Sequence, residues 1–138
     1  MAHQPIEQLT LFTLYEEVTE WAWHRVREWD NFAKHTIGEQ LVRAVDSINA
    51  NLVEGDGRYS KNDALRFFVI ARGSARESRL WIKRAIARQL VEESEGTSNV
   101  EKLERATKLL NLLIDYRRKE KDTDSVKEVI AQYEEGLS

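Results

Sequence analysis

Residues 40–60 read QLVRAVDSINANLVEGDGRYS, and the placement of their apolar side chains decides the fold class. Leu41, Ala44, Val45, Ile48 and Leu52 recur at three- and four-residue intervals, the period that lays one apolar stripe along a helix. Upstream, Thr36 and Glu39 have the spacing of a capping box, so this helix is predicted to open at Thr36 and to end in Glu54-Gly55-Asp56-Gly57. Working backward, Leu11, Tyr15, Val18, Ala22, Val26, Trp29 and Ala33 keep the same period and predict a helix from about Thr10 to Phe32. Working forward, Ser60 or Asn62 caps a third helix carried to about Glu93, some 34 residues and roughly 50 Å long. On it Phe67, Ser74 and Trp81 form one heptad line and Ala71, Ser78 and Ala85 the next, so small residues alternate with aromatics and backbones can approach closely. Gly73, in mid-helix, costs about 1 kcal/mol relative to Ala and calls for a packing reason or a bend.

After Glu95-Gly96-Thr97-Ser98, a second capping box, Ser98 to Glu101, predicts a fourth helix through Leu103, Ala106, Leu110 and Leu113 to about Lys121. Leu109, Leu112 and Tyr116 add a second stripe beside the first, wider than a surface helix of a monomer needs. Val126, Val129, Ile130, Tyr133 and Leu137 then restore helical spacing over a tail. With no strand alternation and a single Pro at position 5, the reading is all-α: an up-down four-helix bundle over about residues 10–121. A short docking helix follows in 122–138, the whole 1–138 forming one domain.

Composition narrows the function classes. The chain has 138 residues, 33% of them charged, and no apolar run near the roughly 20 residues of a membrane span. It has no cysteine, which removes disulfides, thiol catalysis and cysteine-ligated metal. The N-terminal residues have neither the basic start nor the apolar stretch of a secretion signal, which makes the cytoplasm the expected location. Net charge is −3, yet it is uneven: residues 1–90 hold 13 basic against 12 acidic side chains, residues 91–138 hold 8 against 12. Seven of the 13 arginines fall between Arg58 and Arg88. No Glu-x-x-His pair, Ser-His-Asp set or phosphate loop occurs; His3, His24 and His35 are scattered, and Glu20–His24 reads as a surface pair. No catalytic residue, metal site or cofactor is expected.

Two blocks carry a resemblance. Residues 40–60, together with Arg66-Phe67-Phe68-Val69-Ile70-Ala71-Arg72-Gly73-Ser74-Ala75-Arg76-Glu77, resemble the four-helix bundle proteins encoded in intervening sequences of bacterial 23S rRNA genes. In helix order the resemblance extends over roughly residues 10–120. Asn49 stands where many members have Pro, so the second helix is expected to be more regular here. The resemblance implies a bundle assembling as a homopentameric ring, without established enzymatic activity and with a relation to RNA that rests on gene location. More distant relatives are the basic accessory bundles of diversity-generating retroelements, held to act with a reverse transcriptase on nucleic acid.

Three groups of residues follow. The matched polar residues Arg43, Ser47, Asn51, Glu54, Arg58, Ser60, Arg66, Ser74 and Glu77 are expected to lock helix register, for instance by pairing Glu54 with Arg66 or Arg58; the other reading is a ligand or nucleic-acid pocket. Arg72, Arg76, Arg79 and Lys83 form a basic ridge about 16 Å long and are the candidate nucleic-acid contacts. The competing reading pairs the ridge with Glu92, Glu93, Glu101 or Glu104, or with a neighbouring subunit. Trp21 and Trp23 flank the Ala22 stripe at about 100° to either side, too far apart for one core. With Leu109, Leu112 and Tyr116 they are the candidate oligomer interface. The expected function is a non-enzymatic homo-oligomer associated with RNA or another nucleic acid; the alternative is a scaffold that binds protein.

Overall fold

The computed structural model describes residues 4–119, 130, 131 and 134, all helical apart from short turns. A 3-10 turn at Ile6–Gln8 leads into α1 (Thr10–Val26). Then α2 (Asn31–Ala33) passes through a π-helical segment, Lys34–Gly38, into α3 (Glu39–Asp56), followed by α4 (Lys61–Ala87) and α5 (Glu93–Lys119). The four long helices alternate in direction, and each packs on two neighbours in the order α1, α3, α4, α5 and back to α1. The predicted stripes form the core: Leu41, Val45, Ile48 and Leu52 of α3 are buried with Leu11, Tyr15, Val18 and Ala22 of α1. On α4 the line Ala71, Ser78, Ala85 is buried beside Ala64, Phe68, Ala75 and Ile82, while Phe67, Ser74 and Trp81 lie half-buried along its flank. Burial raises the Tyr15 phenol above its usual range, and its hydroxyl shares a 2.8 Å hydrogen bond with Thr107 Oγ1.

Helix boundaries depart from the sequence expectation for identifiable reasons. The first helix stops at Val26, not Phe32, because Trp29 turns into the core and the Asp30 carboxylate accepts the Ala33 N–H at 3.0 Å. Asp30 is thus the N-cap of the next helical run, in extended conformation, and Thr36 lies inside it with its hydroxyl on the Phe32 carbonyl at 2.7 Å. The Thr36–Glu39 capping box is not formed. Ser60 does cap α4, accepting the Asp63 N–H. That helix ends at Ala87 rather than Glu93, where Gln89 takes φ 61° and the Leu90 N–H reaches back to the Ala85 carbonyl at 2.9 Å. α5 opens at Glu93, five residues before the expected Ser98 cap.

Two glycines read as turn residues are inside helices instead. A Cβ on Gly96 would lie 2.5 Å from Ile86 Cγ1, and one on Gly55 would lie 2.6 Å from Phe68 Cε1, so both let neighbouring segments approach closely. Gly73 has neither expected role of packing contact nor bend: it is exposed in the middle of α4, and a Cβ there would meet nothing within 4 Å. At Asn49, α3 runs on unbroken; the buried side chain donates to the Phe12 carbonyl at 3.1 Å and to Glu16 Oε1 at 2.9 Å, tying α3 to α1.

Of the expected tail helix, Ile130, Ala131 and Glu134 are helical, and the rest, with Val126, Val129, Tyr133 and Leu137, lies outside the described residues. Ile130 is buried in the core. Glu134 Oε2 accepts the Thr10 N–H at 3.1 Å, capping α1, whose own N-cap residue Leu9 has no side-chain acceptor.

Candidate nucleic-acid interface

Residues three and four apart on α4 share a face, so Arg72, Arg76, Arg79 and Lys83 line the edge that faces α5. Between the two helices runs a groove of about 270 Å³ lined by Arg76, Arg79, Glu104, Thr107, Lys108 and Asn111. The four ridge residues are not equivalent. Arg72 donates to Asn111 Oδ1 at 3.0 Å, and Arg79 pairs with Glu104 at 3.0 Å, one of the carboxylates anticipated as its neutraliser. The side chains of Arg76 and Lys83 are exposed and have no hydrogen bond or ion pair among the described residues. Lys108 joins the groove from α5, a residue missed in the sequence because its place depends on how α5 is rotated against α4. The groove thus has Arg76 and Lys108 on its walls beside the hydroxyl and amide of Thr107 and Asn111, groups suited to phosphate and sugar oxygens, and Lys83 stands farther along the same edge of α4.

The polar residues expected to lock the helices divide into a small network and a surface set. Ser74 Oγ donates to Ser47 Oγ at 2.9 Å across α3 and α4, and Asn51 Nδ2 donates to Ser47 Oγ at 3.0 Å and to its carbonyl at 2.7 Å. Glu54 pairs with Arg58 at 3.4 Å within one exposed turn, and no Glu54–Arg66 pair is present. The Arg58 and Arg66 guanidinium carbons instead lie 4.9 and 5.2 Å from the Phe67 ring centroid. Glu77 accepts the Trp81 indole N–H at 3.2 Å, over whose ring Arg84 lies. Arg43 stands apart from this set, in a cavity wall with Trp23. Exposed pairs of this kind contribute about 0–1 kcal/mol, so the register is held chiefly by packing and the Ser47–Ser74–Asn51 network.

The five residues read as an oligomer interface do not form one patch. Leu109 is buried in the chain's own core, a correction whose cause is the wide buried arc of α5, which also includes Leu110, Leu113 and Ile114. Leu112 is half-buried against that core. Trp21 is half-buried, its indole N–H bonded to Glu95 on α5, which also takes the Arg25 side chain. These bonds, from Trp21 first, hold the Glu95 carboxyl below the usual carboxylate range. That leaves Trp23, 48% exposed, and Tyr116, 37% exposed, on different helices. A group of exposed apolar side chains lies elsewhere: Val69, Ile70 and Leu80 project from α4 on the side opposite its core stripe, around the open Gly73. They are out of phase with the core stripe, a signal that becomes readable only once the core face is fixed.

Among the described residues no group of three or more His, Cys, Asp or Glu could hold a metal ion, and no helix is long and apolar enough to cross a membrane. The family model described as 23S rRNA-intervening sequence protein matches residues 7–112. The chain is similar to the crystal structure of a protein with unknown function from the S23 ribosomal protein family from Bacteroides thetaiotaomicron. The TM-score is 0.66 at 21% identity, covering 76% of this chain and 94% of that one. At that identity the likeness establishes the shared fold. No curated protein matches.

Proposed function

From its membership of the 23S rRNA-intervening sequence protein family, to which residues 7–112 assign the chain, we propose a non-enzymatic, self-associating bundle that binds RNA or another nucleic acid along the α4–α5 groove. The observation that supports this reading is the pair of exposed cations, Arg76 and Lys83, without a carboxylate partner among the described residues, on an α4 ridge they share with Arg72 and Arg79 and with Lys108 across the groove. Such a site holds phosphate through charge and reads no sequence, so its affinity falls steeply with salt. Self-association multiplies a weak site, because each further contact forms at high effective concentration. The outward α4 face suits a second copy. Val69, Ile70 and Leu80 supply the apolar area, Gly73 lets a helix come close, and Arg66, Glu77 and Arg84 on the same face give charges of both signs. A five-subunit ring working in the cytoplasm is the form this takes by family resemblance.

The test is the salt dependence of RNA binding with and without Arg76→Ala plus Lys83→Ala. For a single strand the logarithmic salt slope is about −0.7 per phosphate contact, so losing two contacts should flatten it by about 1.4. Binding that ignores both the salt and the substitutions overturns the reading. The alternative, a protein-binding scaffold, draws on the same apolar α4 face and on the partial neutralisation of the ridge by Glu104. Light-scattering mass with and without RNA separates the two: the scaffold keeps its mass when RNA is added at low salt.

A further inference from the structure

On the opposite side of the bundle, where α1 ends and the π-helical segment enters α3, a cavity of about 390 Å³ opens. That volume lies within the roughly 300–1,000 Å³ of small-molecule sites. The Trp23 indole stands at its wall, half exposed and with no acceptor for its N–H among the described residues, and Val26 and Val42 supply apolar lining. Around it are Arg27, Lys34 and Arg43, whose side chains make no hydrogen bond or ion pair among the described residues. The one lining carboxylate, Glu39, sits 3.5 Å from His35. Packing fixes this junction: Gly38 lies so close to α1 that a Cβ would fall 2.7 Å from Val26 Cγ1 and 3.1 Å from the Ala33 carbonyl oxygen. A π-helical segment in such a place recurs at functional sites.

A flat aromatic wall, an apolar lining and three unengaged cations make the chemistry of a site for a planar ring that carries negative charge. We propose that this cavity binds an unpaired nucleotide, its base stacked on Trp23 and its phosphate held among Arg27, Lys34 and Arg43. Stacking accepts any base, because every base has a π-face, and the guanidinium forks match phosphate oxygens. The site uses α1 and α3, whereas the phosphate groove uses α4 and α5, so it does not rest on that reading. Its ligand is either a free mononucleotide or an unpaired nucleotide within a strand.

The full chain is titrated by calorimetry with AMP, adenosine, inorganic phosphate, a single-stranded oligoadenylate and duplex RNA. AMP is too small to engage both sides of the bundle and reads the cavity, while duplex RNA offers no unpaired base and reads the groove. Saturable AMP binding, weakened about tenfold or more by Trp23→Ala and reduced by Arg43→Ala, supports a free-nucleotide site. Oligoadenylate binding that Trp23→Ala weakens, without AMP binding, supports a strand nucleotide. Adenosine or phosphate binding as tightly as AMP overturns the proposal, as does binding indifferent to Trp23→Ala or no binding of either probe. Trp23 is half exposed and its side chain makes no hydrogen bond among the described residues, so its variant should fold, which circular dichroism and thermal melting check.

Discussion

Gly55→Ala tests whether the closeness of α3 and α4 is a packing requirement or a by-product of helix termination. If nothing packed on Gly55, Ala would be tolerated or beneficial, since no described glycine has positive φ and Ala is favoured over Gly in a helix interior by about 1 kcal/mol. In the structure Gly55 is buried inside α3, and a new Cβ would lie 2.6 and 2.8 Å from two ring carbons of Phe68 and 3.1 Å from Phe67 Cβ. Carbon contacts are comfortable at about 3.5 Å or more, so the Phe68 ring must retreat by about 0.9 Å. That ring is fully buried, and its neighbours leave it no exit. Overpacking of this kind costs about 1–3 kcal/mol, which offsets the helix gain and leaves a net loss of about 0–2 kcal/mol. Gly73→Ala is the internal control: the same change at an exposed position with nothing within 4 Å should stabilise by about 1 kcal/mol. Urea denaturation of both variants at one low protein concentration gives the comparison, concentration being fixed because self-association would add to apparent stability. A Gly55→Ala protein as stable as Gly73→Ala would refute the packing argument.

Further outcomes follow from polar contacts. Glu95 is held below its usual 4.5 by Trp21 and Arg25, so its contribution is present above that value and lost as pH falls through the folded-state one; Glu95→Gln should therefore destabilise at pH 7 and match the parent in strong acid. Asp46 has the opposite sign: burial first, then Glu20 and Glu16, raise its carboxyl above the usual 3.8, so the stability it contributes in acid is lost as pH rises through the folded-state value. Asp46→Asn should raise the urea midpoint at pH 7, with the gain gone in strong acid. Glu134→Ala removes the acceptor for the Thr10 N–H, which should cost about 1 kcal/mol and speed amide exchange at Thr10, whereas unchanged exchange there would sink the capping role.

The periodicity of residues 41–52 exposed the fold because a buried stripe is a property of one helix, written in spacing alone. Boundaries and glycines were less legible, since Thr36 and Ser98 have the residue types of N-caps, but in the folded chain Asp30 caps the run that contains Thr36 and α5 already starts at Glu93. Gly55 and Gly96 look like turn glycines until Phe68 and Ile86 are in place, because a glycine that ends a helix and one that admits a neighbour are the same letter. The ridge was visible as four cations on one helix edge. Its partial neutralisation was foreseen only as a set of candidate acids, because whether Arg79 meets Glu104 depends on the register of α4 against α5. Likewise the angle between Trp21 and Trp23 showed that one core could not easily take both, and it was Glu95 on α5 that decided which turned inward. The cavity beside Trp23 carried no sequence signal, being assembled from α1, the π-helical segment and α3.

Net charge is a poor guide to what such a protein binds, and the disposition of its acids explains why. Among the described residues of 91–138, three carboxylates are engaged locally: Glu95 takes Trp21 and Arg25, Glu104 takes Arg79, and Glu134 takes the Thr10 N–H. Glu92, Glu93 and Glu101 gather with Ser94, Thr97 and Ser98 around the N-terminal end of α5, where the helix dipole favours negative charge. Basic side chains, by contrast, include several without partners among the described residues, and some of these lie in the α4–α5 groove and beside Trp23. At physiological ionic strength exposed charges are screened beyond about 8 Å, so a phosphate in either place responds to its nearby cations far more than to the chain's total of −3. Local disposition rather than the sum therefore governs affinity. Adding a cation remote from both places should raise the isoelectric point without a matching gain in RNA affinity, whereas removing Arg76 or Arg43 should lower RNA affinity far more than removing an arginine elsewhere, at the same shift in isoelectric point.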